Sequence, residues 1–197
     1  IFQPIDSAVL SERIPAHLRH PEGEWFGLST RARVIAYKKD MALPAGFGTY
    51  EALADEAFRG QVCMRSSGNI YNLSLMASLI DAHGVEAAEA WAKGVVANFA
   101  RTPQSNDTGQ LKAVASGECT ITIANTYYLG RLMASTKPED EALMANLEIV
   151  FPNQDGRGTH VNISGAGVTK YAPNRANAIR FLEYLTSDFA QRLFAEG

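Results

Sequence analysis

An α/β fold is what the sequence predicts, on three observations. Short segments rich in β-branched residues alternate along the chain with segments of helical apolar period. Hydrophobic residues make up 46% and charged residues 20% of its 197 residues, an ordinary globular balance. Strands separated by helices imply βαβ units and a mainly parallel sheet.

Residues 32–37 (ARVIAY) read as the first strand. Residues 49–53 read as a short helix capped by Thr49, and residues 61–65 (QVCMR) as a short strand. Residues 72–82 place Leu73, Met76, Leu79 and Ile80 on one helical face. Residues 85–99 repeat the pattern through Ala88, Trp91, Ala92, Val95 and Phe99, and Pro103 lies beyond the stop. A helix over residues 110–116 closes at Gly117, and residues 120–124 (TITIA) form a strand. Two further strands fall at residues 147–151 and 161–168. Residues 177–195 read as one amphipathic helix, with Ala178, Phe181, Leu182, Leu185, Phe189 and Leu193 inward.

Several function classes lose ground at once. The net charge is −3 and no basic block stands out, which argues against nucleic-acid binding. Apolar runs fall far short of the ~20 residues a membrane helix needs. The chain opens Ile1-Phe2-Gln3-Pro4, without the basic and apolar regions of a signal peptide. An exported protein would have lost that signal, so export stays open. His17, His20, His83 and His160 show no zinc-type spacing. GxSxG, Walker and GxGxxG motifs are missing. His83, beside Gly84, reads as a helix-end residue, and Arg31 and Arg33 read as surface ion-pair partners. The small residues Gly165, Ala166 and Gly167 suit close backbone packing within a strand.

In such sheets ligands bind where loops leave the C-terminal strand ends. Two loops qualify. One carries Ser66, Ser67, Gly68 and Asn69 between a strand and a helix start, where backbone N–H groups and the helix dipole favour an anion. The same residues would equally make an N-cap and a tight turn. The other carries Asn125, Thr126, Tyr127 and Tyr128 directly after a strand. A phenol with a pKa near 10 is normally neutral, but a hard trivalent cation holds it as phenolate. Oxygen donors suit such cations. The competing reading puts one tyrosine in the core and one at the surface. Cys63 and Cys119 leave two buried free thiols and one disulfide both open.

Longer strings join these loops into a family resemblance. Residues 25–35 (WFGLSTRARVI), 60–67 (GQVCMRSS) with 69–72 (NIYN), 117–119 (GEC), 124–130 (ANTYYLG) and 160–168 (HVNISGAGV) carry it. Together they resemble the periplasmic ferric-iron-binding proteins of ABC transporters, in the subgroup whose site is rich in tyrosine. The resemblance runs over essentially the whole chain. It implies the two-lobe α/β fold of type II, transferrin-lobe-like periplasmic binding proteins, with iron between the lobes. Residues 1–36 and 159–197 would be parts of an incomplete first lobe, and residues 37–158 a nearly complete second lobe. Family members carry further segments before the counterpart of Ile1 and after that of Gly197, and the former supplies a His, and a Tyr or Glu, to the metal.

By position, Tyr127 and Tyr128 match the paired iron-ligating tyrosines, and Tyr71 a third. Ser66, Ser67 and Gly68 match a loop that in relatives can hold a synergistic anion such as carbonate or phosphate. Arg65 would lie close enough to offset phenolate charge. In an oxidising periplasm the resemblance favours a Cys63–Cys119 disulfide. The implied function is capture of ferric iron (Fe3+) in the periplasm by a monomer, and its delivery to an ABC permease. The rivals are a carrier of small anions or other solutes without metal, an inert fragment, and an enzyme using Tyr127 as acid or base. No His or Lys motif flanks Tyr127 to support the last.

Overall fold

A computed structural model of the chain describes residues 1–44 and 46–196. By its contacts the chain divides into two compact units: Ile1–Thr30 with Ile163–Gly197, and Arg31–Asn162. The sequence reading put the divides after residues 36 and 158. The units part instead inside two strands, β1 (Phe26–Lys38) and β5 (Val161–Ala166), each of which supplies residues to both.

The first unit holds α1 (Ala8–Arg13), α7 (Arg175–Leu185) and α8 (Asp188–Glu196). Ile5, Leu10, Ile14, Phe26, Val168 and Leu182 form its core. Gly165 lies so close to β1 that a Cβ there would stand 2.6 Å from the Phe26 carbonyl oxygen, as expected for close backbone packing. The single C-terminal helix of the sequence reading is two helices. Thr186 caps α7, its hydroxyl donating to the Glu183 carbonyl (2.7 Å). The Ser187 hydroxyl then accepts from the Ala190 N–H (3.3 Å), starting α8. This break resets the helical phase. Leu182 and Ala190 are buried and Ala178 and Leu185 pack on the core, whereas Phe181, Phe189 and Leu193 are 58%, 56% and 53% exposed rather than inward.

The second unit contains β2 (Val62–Cys63), α2 (Ile70–His83), α3 (Val85–Ala97), α4 (Asp107–Ser116), β3 (Ile121–Asn125), α5 (Thr126–Met133), α6 (Pro138–Met144) and β4 (Leu147–Val150). The helix expected at residues 49–53 is a 3₁₀ turn over Glu51–Ala54. Among the described residues the strand order is β2-β3-β1-β4, and β5 also pairs with β1. β2 and β3 are parallel, whereas β1 is antiparallel to both β3 and β4. The sheet is therefore mixed, not mainly parallel. The helix-linked strands β2, β3 and β4 share one direction, as their crossovers require. β1 is followed by 3₁₀ turns rather than a crossover helix, and it runs against them. That reversal brings the Arg33 end of β1 beside Asn125, at the C-terminal ends of β2 and β3.

Side chains alternate across β1 and β3 with the period of two that a strand imposes. Val34, Ala36 and Ala124 face a layer with Leu111, Val114, Leu129 and Leu132. Ile35, Ile121 and Ile123 face another with Tyr50, Leu53, Phe58, Leu75, Leu79 and Val95. Every residue of β3 is buried, as befits a strand covered on both faces. Cys63 and Cys119 are joined as a disulfide within the first layer, their Cα atoms 5.9 Å apart.

Candidate metal centre

Two helix starts build the centre, both within the second unit. After β2 the chain makes a tight turn. The Gly68 N–H donates to the Ser66 hydroxyl (3.3 Å), and Asn69 caps α2 by accepting from the Tyr71 N–H (3.0 Å). Ser66, Ser67 and Gly68 are exposed. The Asn72 amide donates to the Arg65 and Ser66 carbonyls (3.0 and 3.2 Å), fixing the turn against the helix. Tyr71 thus stands in the first turn of α2.

Asn125, the last residue of β3, is the N-cap residue of α5. Tyr127 and Tyr128 therefore lie in the first turn of a helix, not in a loop. Both are half-buried, Tyr128 packing against the first core layer, with ring centroids 4.1 Å apart. The Tyr71 and Tyr127 hydroxyls are 3.2 Å apart. The two helix starts bring three phenol groups together, with the positive ends of two helix dipoles behind them.

Arginines surround this group. The guanidinium carbons of Arg31, Arg33 and Arg65 stand 5.5, 5.7 and 5.4 Å from the Tyr71 ring centroid, and that of Arg131 stands 5.4 Å from the Tyr127 ring. Arg33 is no surface residue. Its side chain is 1% exposed and bonds Asp107 (2.6 Å), Asn72 (2.7 Å) and Asn125 (3.3 Å). Arg65 bonds the other Asp107 oxygen (2.9 Å). Beneath the rim, the Tyr50 hydroxyl donates to the Arg33 carbonyl and accepts from the His160 N–H (3.1 Å). The His160 ring meets the Ser74 hydroxyl at 2.9 Å.

These neighbours set the electrostatics. Burial, then hydrogen bonds to Tyr128 and Tyr71, push the Tyr127 hydroxyl well above the ordinary phenol range. The Tyr127 hydroxyl is therefore protonated at neutral pH, and a cation that binds it as phenolate must displace that proton. Burial draws Arg65 down, but its bonds to Asp107 and Tyr128 outweigh this and raise it. Burial lowers Arg33, against the pull of Asp107. Among the described residues no group of three or more His, Cys, Asp and Glu could hold a metal. Phenol oxygens, once deprotonated, are the hard donors that hard cations take, and the surrounding arginines favour the phenolate form while opposing a bare cation.

Sequence reasoning named the three tyrosines and Arg65 and missed Asp107, Asn72 and the buried role of Arg33. A charged residue inside the apolar run of residues 32–37 was the available signal for Arg33. Asp107 gave none, since Asn106-Asp107 reads as an ordinary helix cap.

The chain belongs to the family of bacterial extracellular solute-binding proteins, which matches it over residues 1–197. It is 54% identical over 197 residues to iron uptake protein A1 of Synechocystis sp., covering 100% of this chain and 55% of that protein. It is 25% identical to the Fe(3+)-binding periplasmic protein of Serratia marcescens, over 98% of this chain and 55% of that one. Among solved structures, the Trichodesmium protein (IdiA, FutA) in complex with iron and citrate superposes with a TM-score of 0.92 at 58% identity, over 98% of this chain and 61% of that one. The ferric binding protein from Campylobacter jejuni gives 0.91 at 43% identity, over 96% and 60%. The periplasmic-binding-protein α/β fold is thereby established. The chain spans 55% to 61% of the length of these proteins.

Proposed function

We propose that this chain captures ferric iron in the periplasm and presents it to an ABC import permease. Tyr71, Tyr127 and Tyr128 are the metal ligands in this reading. The observation that carries it is the meeting of the three phenols: hydroxyls of Tyr71 and Tyr127 at 3.2 Å and the Tyr127 and Tyr128 rings at 4.1 Å. The printed names of the relatives, an iron uptake protein and ferric binding proteins, agree with it. In this reading Arg31–Asn162 is the tyrosine-bearing lobe, and the other unit is part of its counterpart.

The chemistry is capture rather than catalysis. Ferric iron replaces the phenol protons, and three phenolates neutralise its charge. Arg65 and Arg33 leave a positive surplus that favours an added anion, carbonate or phosphate, at the exposed turn of Ser66, Ser67 and Gly68 beside the start of α2. Three oxygens leave coordination positions that this anion or water fills. Rising pH favours loading and falling pH favours release, because protons compete for the same oxygens.

An absorbance titration of the metal-free chain with ferric nitrilotriacetate tests the assignment. A visible phenolate-to-iron band should form in the parent and be lost or strongly weakened in Tyr127→Phe and Tyr128→Phe. A band of parental strength in both variants would remove the tyrosine pair from the metal.

A further inference from the structure

Asp107 joins every strand end that builds the centre. It is the first residue of α4 and is fully buried, at 0% exposed. One of its oxygens, Oδ2, accepts from Arg33 Nη1 (2.6 Å) and from the Asn125 N–H (3.0 Å). The other, Oδ1, accepts from Arg65 Nη1 (2.9 Å). Asn125 stands two residues before Tyr127. Arg33 passes its second nitrogen to Asn72, the residue after Tyr71, at 2.7 Å. Asn72 in turn holds the Arg65 carbonyl at 3.0 Å. The bonds close a ring that runs from Asp107 through Arg33, Asn72 and Arg65 back to Asp107. Tyr71 is pinned on one side of that ring and the Tyr127–Tyr128 turn on the other.

We propose that Asp107 is the positioning residue of the tyrosine centre: its single buried carboxylate ties β1, the turn after β2 and the start of α5 together and so sets the spacing of the Tyr71, Tyr127 and Tyr128 oxygens. A carboxylate is suited to this because two oxygens can accept from three differently directed donors at once. Asparagine in the same place keeps the size but loses the charge and one acceptor. Glutamate keeps the charge but moves it outward by one methylene. The consequence for iron rests on the ferric reading above; the spacing itself belongs to the metal-free chain.

The test uses the full chain with 13C-labelled tyrosine. The ring ζ-carbon signals are recorded metal-free at neutral pH in the parent, Asp107→Asn, Asp107→Glu and Phe58→Leu. The last is a buried control in the layer with Tyr50 and Leu53. Both Asp107 variants should move the Tyr71 and Tyr127 signals, and Phe58→Leu should lower the melting temperature without moving them. The ferric nitrilotriacetate titration should show a shifted band and an affinity about tenfold lower in the Asp107 variants, the size found when a ligand's supporting partner is lost. Asp107→Glu keeps the buried arginines paired and so carries the test if Asp107→Asn does not fold. Unmoved tyrosine signals in Asp107→Glu, or equal movement in Phe58→Leu, would overturn the proposal. A parent without a ferric band would sink the iron reading alone, since the metal-free signals still decide the positioning claim.

Discussion

Arg33 shows how one side chain can serve both fold and site. It lies between Ala32 and Val34 on a strand otherwise apolar inward, yet its guanidinium is buried against Asp107, Asn72 and Asn125. A buried ion pair contributes little net stability, but removing one partner strands the other. Arg33→Met should therefore destabilise the chain by about 3–5 kcal/mol, read from the denaturant midpoint. A loss below about 1 kcal/mol would mean that Arg65 alone satisfies the carboxylate. Two adjacent phenols directly after a strand stand out in the sequence, but that pattern alone left a core-and-surface reading open, and the family resemblance singled out the pair. Tyr71 became legible only through the family resemblance, since nothing in the local pattern around it points to metal. Asp107 was not legible, because its partners lie 74, 42 and 18 residues away in the chain and only the fold assembles them.

At the scale of elements, β2 and β3 carry the two helix starts at their ends, and the Cys63–Cys119 disulfide ties the last residue of β2 to the segment just before β3. It closes a loop with a sequence separation of 56. Chain-entropy reasoning assigns such a loop about 4 kcal/mol. The double variant Cys63→Ala, Cys119→Ala should lose stability of that order in non-reducing denaturation; an unchanged midpoint would show that the crosslink constrains nothing. Most elements were readable from period and caps: Asn69 and Gly117 mark helix ends in the sequence as they do in the fold, whereas the helix read over residues 110–116 begins at Asp107. Two features were not. Strand direction follows from which connections cross the sheet, so the reversal of β1 is invisible in its composition. The break between α7 and α8 depends on Thr186 and Ser187, polar residues that also fit the exposed side of one long helix.

At the scale of the molecule, acid stability turns on Glu51. It accepts from Asn153 (2.7 Å) and Arg157 (2.8 Å) and pairs with His83 (2.8 Å), linking distant parts of the second unit. Burial acts to raise its pKa, but these bonds outweigh it and hold the carboxyl down at about 2 against an ordinary 4.5. With the folded pKa depressed, the stabilisation is complete above pH 4.5 and is lost as pH falls from there toward 2. Melting temperatures at pH 7 and pH 3 should differ less in Glu51→Gln than in the parent. An identical difference would move the acid sensitivity to other groups.

The two units also differ in how the chain supplies them. The second is one uninterrupted stretch, Arg31–Asn162, while the first joins both ends of the chain. Its ends meet where the Gln3 N–H donates to the Val168 carbonyl and the Lys170 N–H to the Ile1 carbonyl, each at 2.9 Å. As a ribosome makes the chain from its N-terminus, residues 31–162 are complete before residues 163–197 exist. The tyrosine-bearing unit can fold while the first 30 residues still lack their partners. Until residues 163–197 follow, Leu10, Ile14 and Phe26 lack Val168 and Leu182, which complete their cluster.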